Sequence, residues 1–401
     1  MTRKLYFDDS YALEFEAPAA PLVERPGATG VVLPATFFYP TSGGQPFDTG
    51  ALGAARVVDV VEEDDGGIFH RLEGDPGAGP WKARIDAARR LDHMQQHTGQ
   101  HLLSAAFVQA LRAPTVSFHL GEETCTIDVE LSGTARVGEA EALANQVIAE
   151  GREVRAFEVD PSEVEKLGLR KPPAARERIR VVEVADFDRS ACGGTHVRRT
   201  SEVQLVKVLG VEKVREQARV EFVCGLRALR DYGVKHELLK GLAAKFTTAP
   251  AALGAALDKR LDEAAAQRRA LEKLEQELAA FEADSAAASA QPVGGARLLV
   301  RAVEGRSAAY LRALSGKLKA KEGLVFALGT AQDAPAWIFG HGPGVELDLR
   351  PLWKEWCAAV GAKGGGQADL VQGGGLAAGT AAADALERAA SALRAALGGG
   401  R

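Results

Sequence analysis

Long apolar runs are missing from this 401-residue chain. None approaches the ~20 residues that a membrane-spanning helix needs, and Met1 to Glu16 is too charged and too interrupted for a signal peptide. Both absences predict a cytoplasmic protein without a membrane partner. Cysteine is scarce as well: four in so long a chain build no disulfide framework. Cys125, Cys224 and Cys357 are read as small buried residues, and Cys192 is set aside for the argument below. Positive charge is in deficit, with a net charge of −5, so the average composition does not announce a nucleic-acid binder. The deficit is uneven. Residues 292–401 hold 13 Lys and Arg against 9 Asp and Glu, a local +4 that leaves −9 for the rest. A basic surplus at that end is compatible with phosphate contacts.

What is present suits a soluble chain of two or three domains. Up to about residue 88, LYFDD, ALEFEA, GVVLPATFFYP, ARVVDVVEEDD and GIFHRLEG are separated by Gly, Pro and Asp turns. Short strands at that spacing predict a small antiparallel β-barrel. From 89 to 235 helical and strand patterns mix, predicting an α+β domain with helices on an antiparallel sheet. Over 236–291, Leu257, Leu261, Ala264, Leu271, Leu274, Leu278 and Phe281 keep three-and-four spacing, which predicts a helical hairpin or coiled-coil arm. Residues 292–401 alternate strand and helix, an α/β pattern. The fold class expected is therefore multidomain α+β.

The chemistry concentrates in LDHMQQHTGQHLLS, Leu91 to Ser104. A helix places residues i and i+4 on one face, about 6 Å of rise apart, so His97 and His101 can converge on one ion. Cys192 and His196 in ACGGTHV repeat that spacing around a glycine turn. Three imidazoles and a thiolate form a borderline-soft donor set suited to Zn2+, one ion per chain. His93 extends the HxxxH row, but His93 and His101 are about 12 Å apart in rise, so only one pair serves. A metalloprotease needs HExxH, whereas Thr98 follows His97. Two glycines in SGGQ, Ser42 to Gln45, allow close backbone approach and offer amide donors. Between the last two helical patterns, VGAKGGGQADLVQGGG places Lys363, Gly364, Gly365 and Gly366 before a helix, where backbone amides can cradle phosphates. No GK[ST] makes it a P-loop.

MQQHTGQHLLS, CGGTHV and TFFYPTSGGQPFDTG together resemble, nearly letter for letter, the editing domain shared by alanyl-tRNA synthetases and the free-standing alanyl-tRNA editing proteins of the AlaX type. The resemblance selects His97 and His101 as the metal pair, and Cys192 and His196 as its complement. It implies a barrel like those of translation factors for the first 88 residues. It also implies that Thr36 faces the amino-acid side chain and tells serine from alanine; the oxyanion formed when water attacks an ester carbonyl needs donors, and the Gly43, Gly44 and Gln45 segment is their natural supplier. The last hundred residues resemble the DHH-associated domain that ends alanyl-tRNA synthetases and contacts tRNA; Gln367 departs from the basic residue more frequent there.

Nothing in the chain resembles a synthetase activation domain, and the editing-like sequence begins almost at Met1. The expected protein is a long-form trans-editing enzyme, a zinc-dependent aminoacyl-tRNA deacylase. It acts on mischarged tRNA(Ala), chiefly seryl, with glycyl as the second candidate. An ion in the centre could hold the substrate α-amino group or a water, and the sequence leaves both open. The alternative is a non-catalytic tRNA-binding and dimerisation protein with a structural zinc, its four ligands closing the shell. A homodimer through the helical arm is the further partner expected.

Overall fold

The alternation of apolar and polar residues in the first 88 residues folds into a seven-stranded antiparallel sheet. Its order is Glu14–Ala17, Trp81–Ile85, Gly50–Leu52, Ala55–Glu62, Ile68–Glu73, Ala28–Val32 and Leu22–Arg25. Trp81, Ala83 and Ile85 turn inward and Lys82 and Arg84 outward, the period-2 pattern of a sheet with one covered face. The expected barrel does not close: Glu14–Ala17 and Leu22–Arg25 are the two ends of the ladder. The chain between them carries Pro18 and Pro21, which flank the two end strands and lack the amide hydrogen that would extend either ladder. LYFDD is a single 3-10 turn, Leu5–Phe7, rather than a strand.

The computed structural model describes residues 1–131, 133, 135–172, 177–330 and 335–398. The chain divides into two compact units, Met1–Gly241 and Leu242–Arg401. Eight α-helices lie among the described residues. In the first unit they are α1 (Ala87–Leu111), α2 (Val137–Glu150), α3 (Val164–Leu167) and α4 (Gly225–Lys245), which runs four residues into the second. The second unit adds α5 (Leu253–Ala288), α6 (Ala308–Leu318), α7 (Leu349–Val360) and α8 (Ala382–Gly398).

In the first unit, α1 and α2 share a core with a four-stranded antiparallel sheet. The sheet's order is Thr115–Leu120, Cys125–Val129, Gln217–Cys224, Val206–Val214. Asp86 caps α1, its carboxylate accepting from Ala88 N and Arg89 N, which satisfies amides a helix start leaves open. A buried ion pair ties α1 to the seven-stranded sheet. Arg90 and Asp48 have side chains 1% and 0% exposed, and the guanidinium also donates to Ser10 O and Phe37 O. A second, three-stranded antiparallel sheet, Val154–Val159, Ile179–Val184 and Asp188–Ala191, delivers the chain to Cys192.

The second unit is a six-stranded sheet ordered Gln291–Val293, Ala296–Ala302, Leu324–Gly329, Ala336–His341, Leu370–Gly374, Lys363–Gln367. All six residues of LVFALG are buried because helices cover both faces. Phe326 and Leu328 meet α6 and the end of α5, while Val325 and Ala327 meet α7 and α8. The expected arm is one continuous 36-residue helix, α5, with no hairpin inside it. Ala279, Ala283, Ala286 and Ala287 are buried in the core of their own unit, whereas Leu257, Leu261, Leu271, Leu274 and Phe281 stay exposed. The glycine-lysine cluster differs from expectation too. Lys363, Gly364, Gly365 and Gly366 are not a helix-capping loop but an exposed edge strand, paired with Leu370–Gly374 across a two-residue turn. The ladder commits amides that a phosphate cradle needs free.

Candidate metal centre

His97 and His101 lie one turn apart on α1, and Cys192 and His196 follow the strand Asp188–Ala191. Their donor atoms all fall within 4.8 Å of one another. Cys192 Sγ is 3.3 Å from both His97 Nε2 and His196 Nε2, close to the edge of about 3.5 Å that a tetrahedral zinc shell of one sulfur and three nitrogens requires. The donor set therefore fits the ion that its chemistry implies.

His97 and His196 are oriented from behind by hydrogen bonds, and His101 faces a carboxylate. His97 Nδ1 donates to Gln45 Oε1 at 2.8 Å, leaving the Nε2 lone pair for a metal. Gln45 is itself locked: Thr195 N donates to the same oxygen at 3.1 Å, and Gln45 Nε2 donates to Thr195 Oγ1 at 2.9 Å. His196 Nδ1 is 3.1 Å from Thr98 Oγ1, and His101 Nδ1 is 3.4 Å from Asp188 Oδ2. Arg180 fixes the glycine turn by donating to Cys192 O and Gly194 O, both at 2.9 Å. A Cβ on Gly194 would fall 2.1 Å from the His97 ring, so no other residue lets this turn approach α1.

Burial alone would push the Cys192 thiol up, but His97, His196 and His101 outweigh it and hold it well below its usual value. It is the thiolate that serves as a metal ligand. Burial lowers His196 to about 3, keeping it neutral and available as a donor. His101 goes the other way, to about 9, because the Cys192 thiolate and Asp188 overcome its burial.

His97, His101 and Cys192 face a cavity of about 550 Å³ that Ser42, Gly43 and Phe118 also line. Gly43 and Gly44 take φ of +54° and +84°, the left-handed turn that glycine permits. Gln45 is not free to act as an oxyanion donor: its side chain is committed as above, and its N–H donates to Ser42 O at 2.9 Å. Thr36 does not line this cavity. It is fully buried, with its hydroxyl 2.9 Å from His70 Nε2 and accepting from Phe38 N. Burial lowers His70 to about 4, so the ring is neutral; its Nδ1 donates to Val31 O, and its Nε2 accepts a hydrogen bond from the threonine hydroxyl. His119 is likewise absent from the lining; Phe118 beside it faces His97, ring centroids 5.5 Å apart. Sequence reasoning missed Thr98, Thr195, Asp188 and Arg180, although the rule that a ligating histidine donates its second nitrogen pointed to such partners.

Two predictions arise here. Gln45→Leu frees the His97 ring and should weaken zinc binding by roughly 10–100-fold, measured by competition with a chromogenic chelator; unchanged affinity would remove Gln45 from the centre. Thr36→Val should lower stability by about 1–3 kcal/mol, since His70 Nε2 is left buried and unpaired. Urea unfolding reads this. Normal stability with a lost seryl preference would instead return Thr36 to the substrate, as the resemblance has it.

The profile of the threonyl and alanyl tRNA synthetase second additional domain matches residues 179–219, the segment that holds Cys192 and His196. The chain is 34% identical to the alanine–tRNA ligase of Halobacterium salinarum, over 98% of this chain and 44% of that one. To the Pyrococcus abyssi enzyme it is 31% identical, over 93% and 42%. It thus spans less than half the length of these relatives. The C-Ala domain from Aquifex aeolicus alanyl-tRNA synthetase, at 23% identity, covers 26% of this chain and 98% of its own, with a TM-score of 0.24, too low to carry an argument. The class defined is a protein with a synthetase-type additional domain and a histidine-cysteine cluster. More particularly, the chain is similar over nearly its whole length to part of the alanine–tRNA ligases.

Proposed function

We propose that the chain hydrolyses the ester of mischarged tRNA(Ala) in trans, chiefly the seryl form and secondarily the glycyl form. The observation that carries this reading is the three-histidine, one-cysteine cluster opening on a cavity beside a glycine turn. Zinc held by His97, His101, Cys192 and His196 would supply Lewis-acid polarisation. His196 lies off the cavity lining, so the three other ligands present the accessible side of the cluster. The amides of Gly43 and Gly44 are the donors proposed for the oxyanion. Gln45 acts one step back, holding His97 in the tautomer that exposes Nε2.

An ester to ribose is activated compared with an amide, so alignment supplies much of the acceleration. Such a second site is needed because a pocket sized for alanine rejects serine or glycine weakly by binding alone. Residues 292–401 are proposed to contribute tRNA affinity, with the ammonium of Lys363 on the exposed edge strand as the phosphate contact. The exposed apolar row on α5 is proposed to meet a second copy of this chain.

Purified chain should deacylate seryl-tRNA(Ala) far faster than alanyl-tRNA(Ala), and a strong chelator should abolish this, with recovery on adding zinc. Full binding of the tRNA with no deacylation, with or without zinc, would leave the non-catalytic binding reading standing instead.

A further inference from the structure

On the first two turns of α1, away from the metal cluster, lies a second cavity of about 370 Å³ that the reaction does not use. Arg89, Asp92 and His93 line it from α1, Arg227 and Arg230 from α4, and Glu122 from the turn after the strand Thr115–Leu120. Three guanidinium groups face two carboxylates, a net surplus of one positive charge. Arg227 and Asp92 neutralise each other as the floor, Nη2 to Oδ2 at 2.6 Å, with Arg227 Nη1 also donating to Gly121 O. Arg89 is aimed by its Nε, which donates to Phe47 O at 2.8 Å. That bond leaves its terminal nitrogens for a ligand. Arg230 is 72% exposed in its side chain and sits 3.9 Å from Asp92, so most of its charge is unspent.

His93 gives the second, independent observation. It is 2% exposed, yet its Nδ1 is buried with no hydrogen-bond partner. A buried polar atom left unmet costs about 1–3 kcal/mol, and the ring's other nitrogen, Nε2, which is neither buried nor hydrogen-bonded, is the one an occupant of this cavity can reach. Burial, helped by Arg89, keeps the ring neutral, so it offers a hydrogen bond without competing charge.

We propose that this cavity binds a phosphate group, held by the forked donors of Arg89 and Arg230 and by the His93 ring. Arginine forks match tetrahedral oxyanions in geometry. The phosphate comes from one of two sources, the backbone of a nucleic acid or free phosphate. The proposal does not depend on the metal or on the ester hydrolysis proposed above.

The test uses the full chain labelled with 15N-histidine and titrated with inorganic phosphate. The His93 ring resonances should shift saturably while those of His97, His101 and His196 stay still. Arg89→Gln combined with Arg230→Gln should weaken phosphate by about ten-fold or more. Should that pair compromise folding, Glu122→Gln serves instead: removing an exposed, like-charged neighbour should tighten phosphate several-fold. A duplex RNA carrying a 5′ phosphate then separates the sources. Displacement of inorganic phosphate by the RNA assigns the site to nucleic acid; a phosphate shift that persists under saturating RNA assigns it to free phosphate. No saturable shift at His93 with either probe, or phosphate binding indifferent to Glu122→Gln, overturns the proposal.

Discussion

Cys192→Ala should lose its zinc while the wild-type chain retains about one equivalent, as the four-donor shell of a structural or catalytic site requires. The thiolate is the only anionic donor in the cluster. Its low proton affinity, set by three neighbouring imidazoles, makes it a ligand without a large cost of deprotonation. Losing it should weaken binding by more than the roughly 10–100-fold that removal of an outer partner costs. His101→Ala should also lower affinity, but less, because two imidazoles and the thiolate remain. Deacylation should fall with zinc content in both variants. Metal analysis is the direct measurement, and full zinc occupancy in both Cys192→Ala and His101→Ala would sink the ligand assignment.

Asp48→Ala should be the most damaging change outside the cluster. It strands the Arg90 guanidinium, 1% exposed, with only carbonyl oxygens for partners. Breaking one side of a buried pair costs about 3–5 kcal/mol, a large share of the roughly 5–15 kcal/mol that holds a domain folded. Asp48 Oδ2 also accepts from Tyr39 N at 2.7 Å, so the turn after the SGGQ segment loosens with it. Denaturant unfolding should show the loss, and the double variant Asp48→Leu with Arg90→Met should recover much of it, since an apolar pair removes the uncompensated charge. A loss below about 1 kcal/mol would mean that the pair is replaced by water at little cost.

The metal cluster was legible because its spacing is local. A four-residue step on a helix forces His97 and His101 onto one face, and the glycine turn repeats the step at Cys192 and His196; residue type and interval narrowed the helix to two overlapping pairs, and the family resemblance chose between them. The strands of the second unit were legible for the same reason: LLVRAV, LVFALG and WIFG are short apolar runs bounded by turns. The edge strand of glycines was not. Lys363 to Gln367 has no periodic side chains, and only pairing with Leu370–Gly374 makes it a strand.

Sequence by itself determined the donor set, the helix that carries half of it and the glycine turn that carries the rest, all matters of neighbours within a few residues. Tertiary structure decided what those donors rest on and what the remaining candidates do. Gln45 meets His97 across 52 positions and Asp188 meets His101 across 87, contacts that no local pattern encodes. Packing likewise turned Thr36 toward His70, drew Gln45 behind the cluster instead of into the cavity, and left the seven-stranded sheet open at its two proline-linked edges. Hydrogen-bond partners for buried polar atoms come from wherever the fold brings chains together, and a buried group must find one.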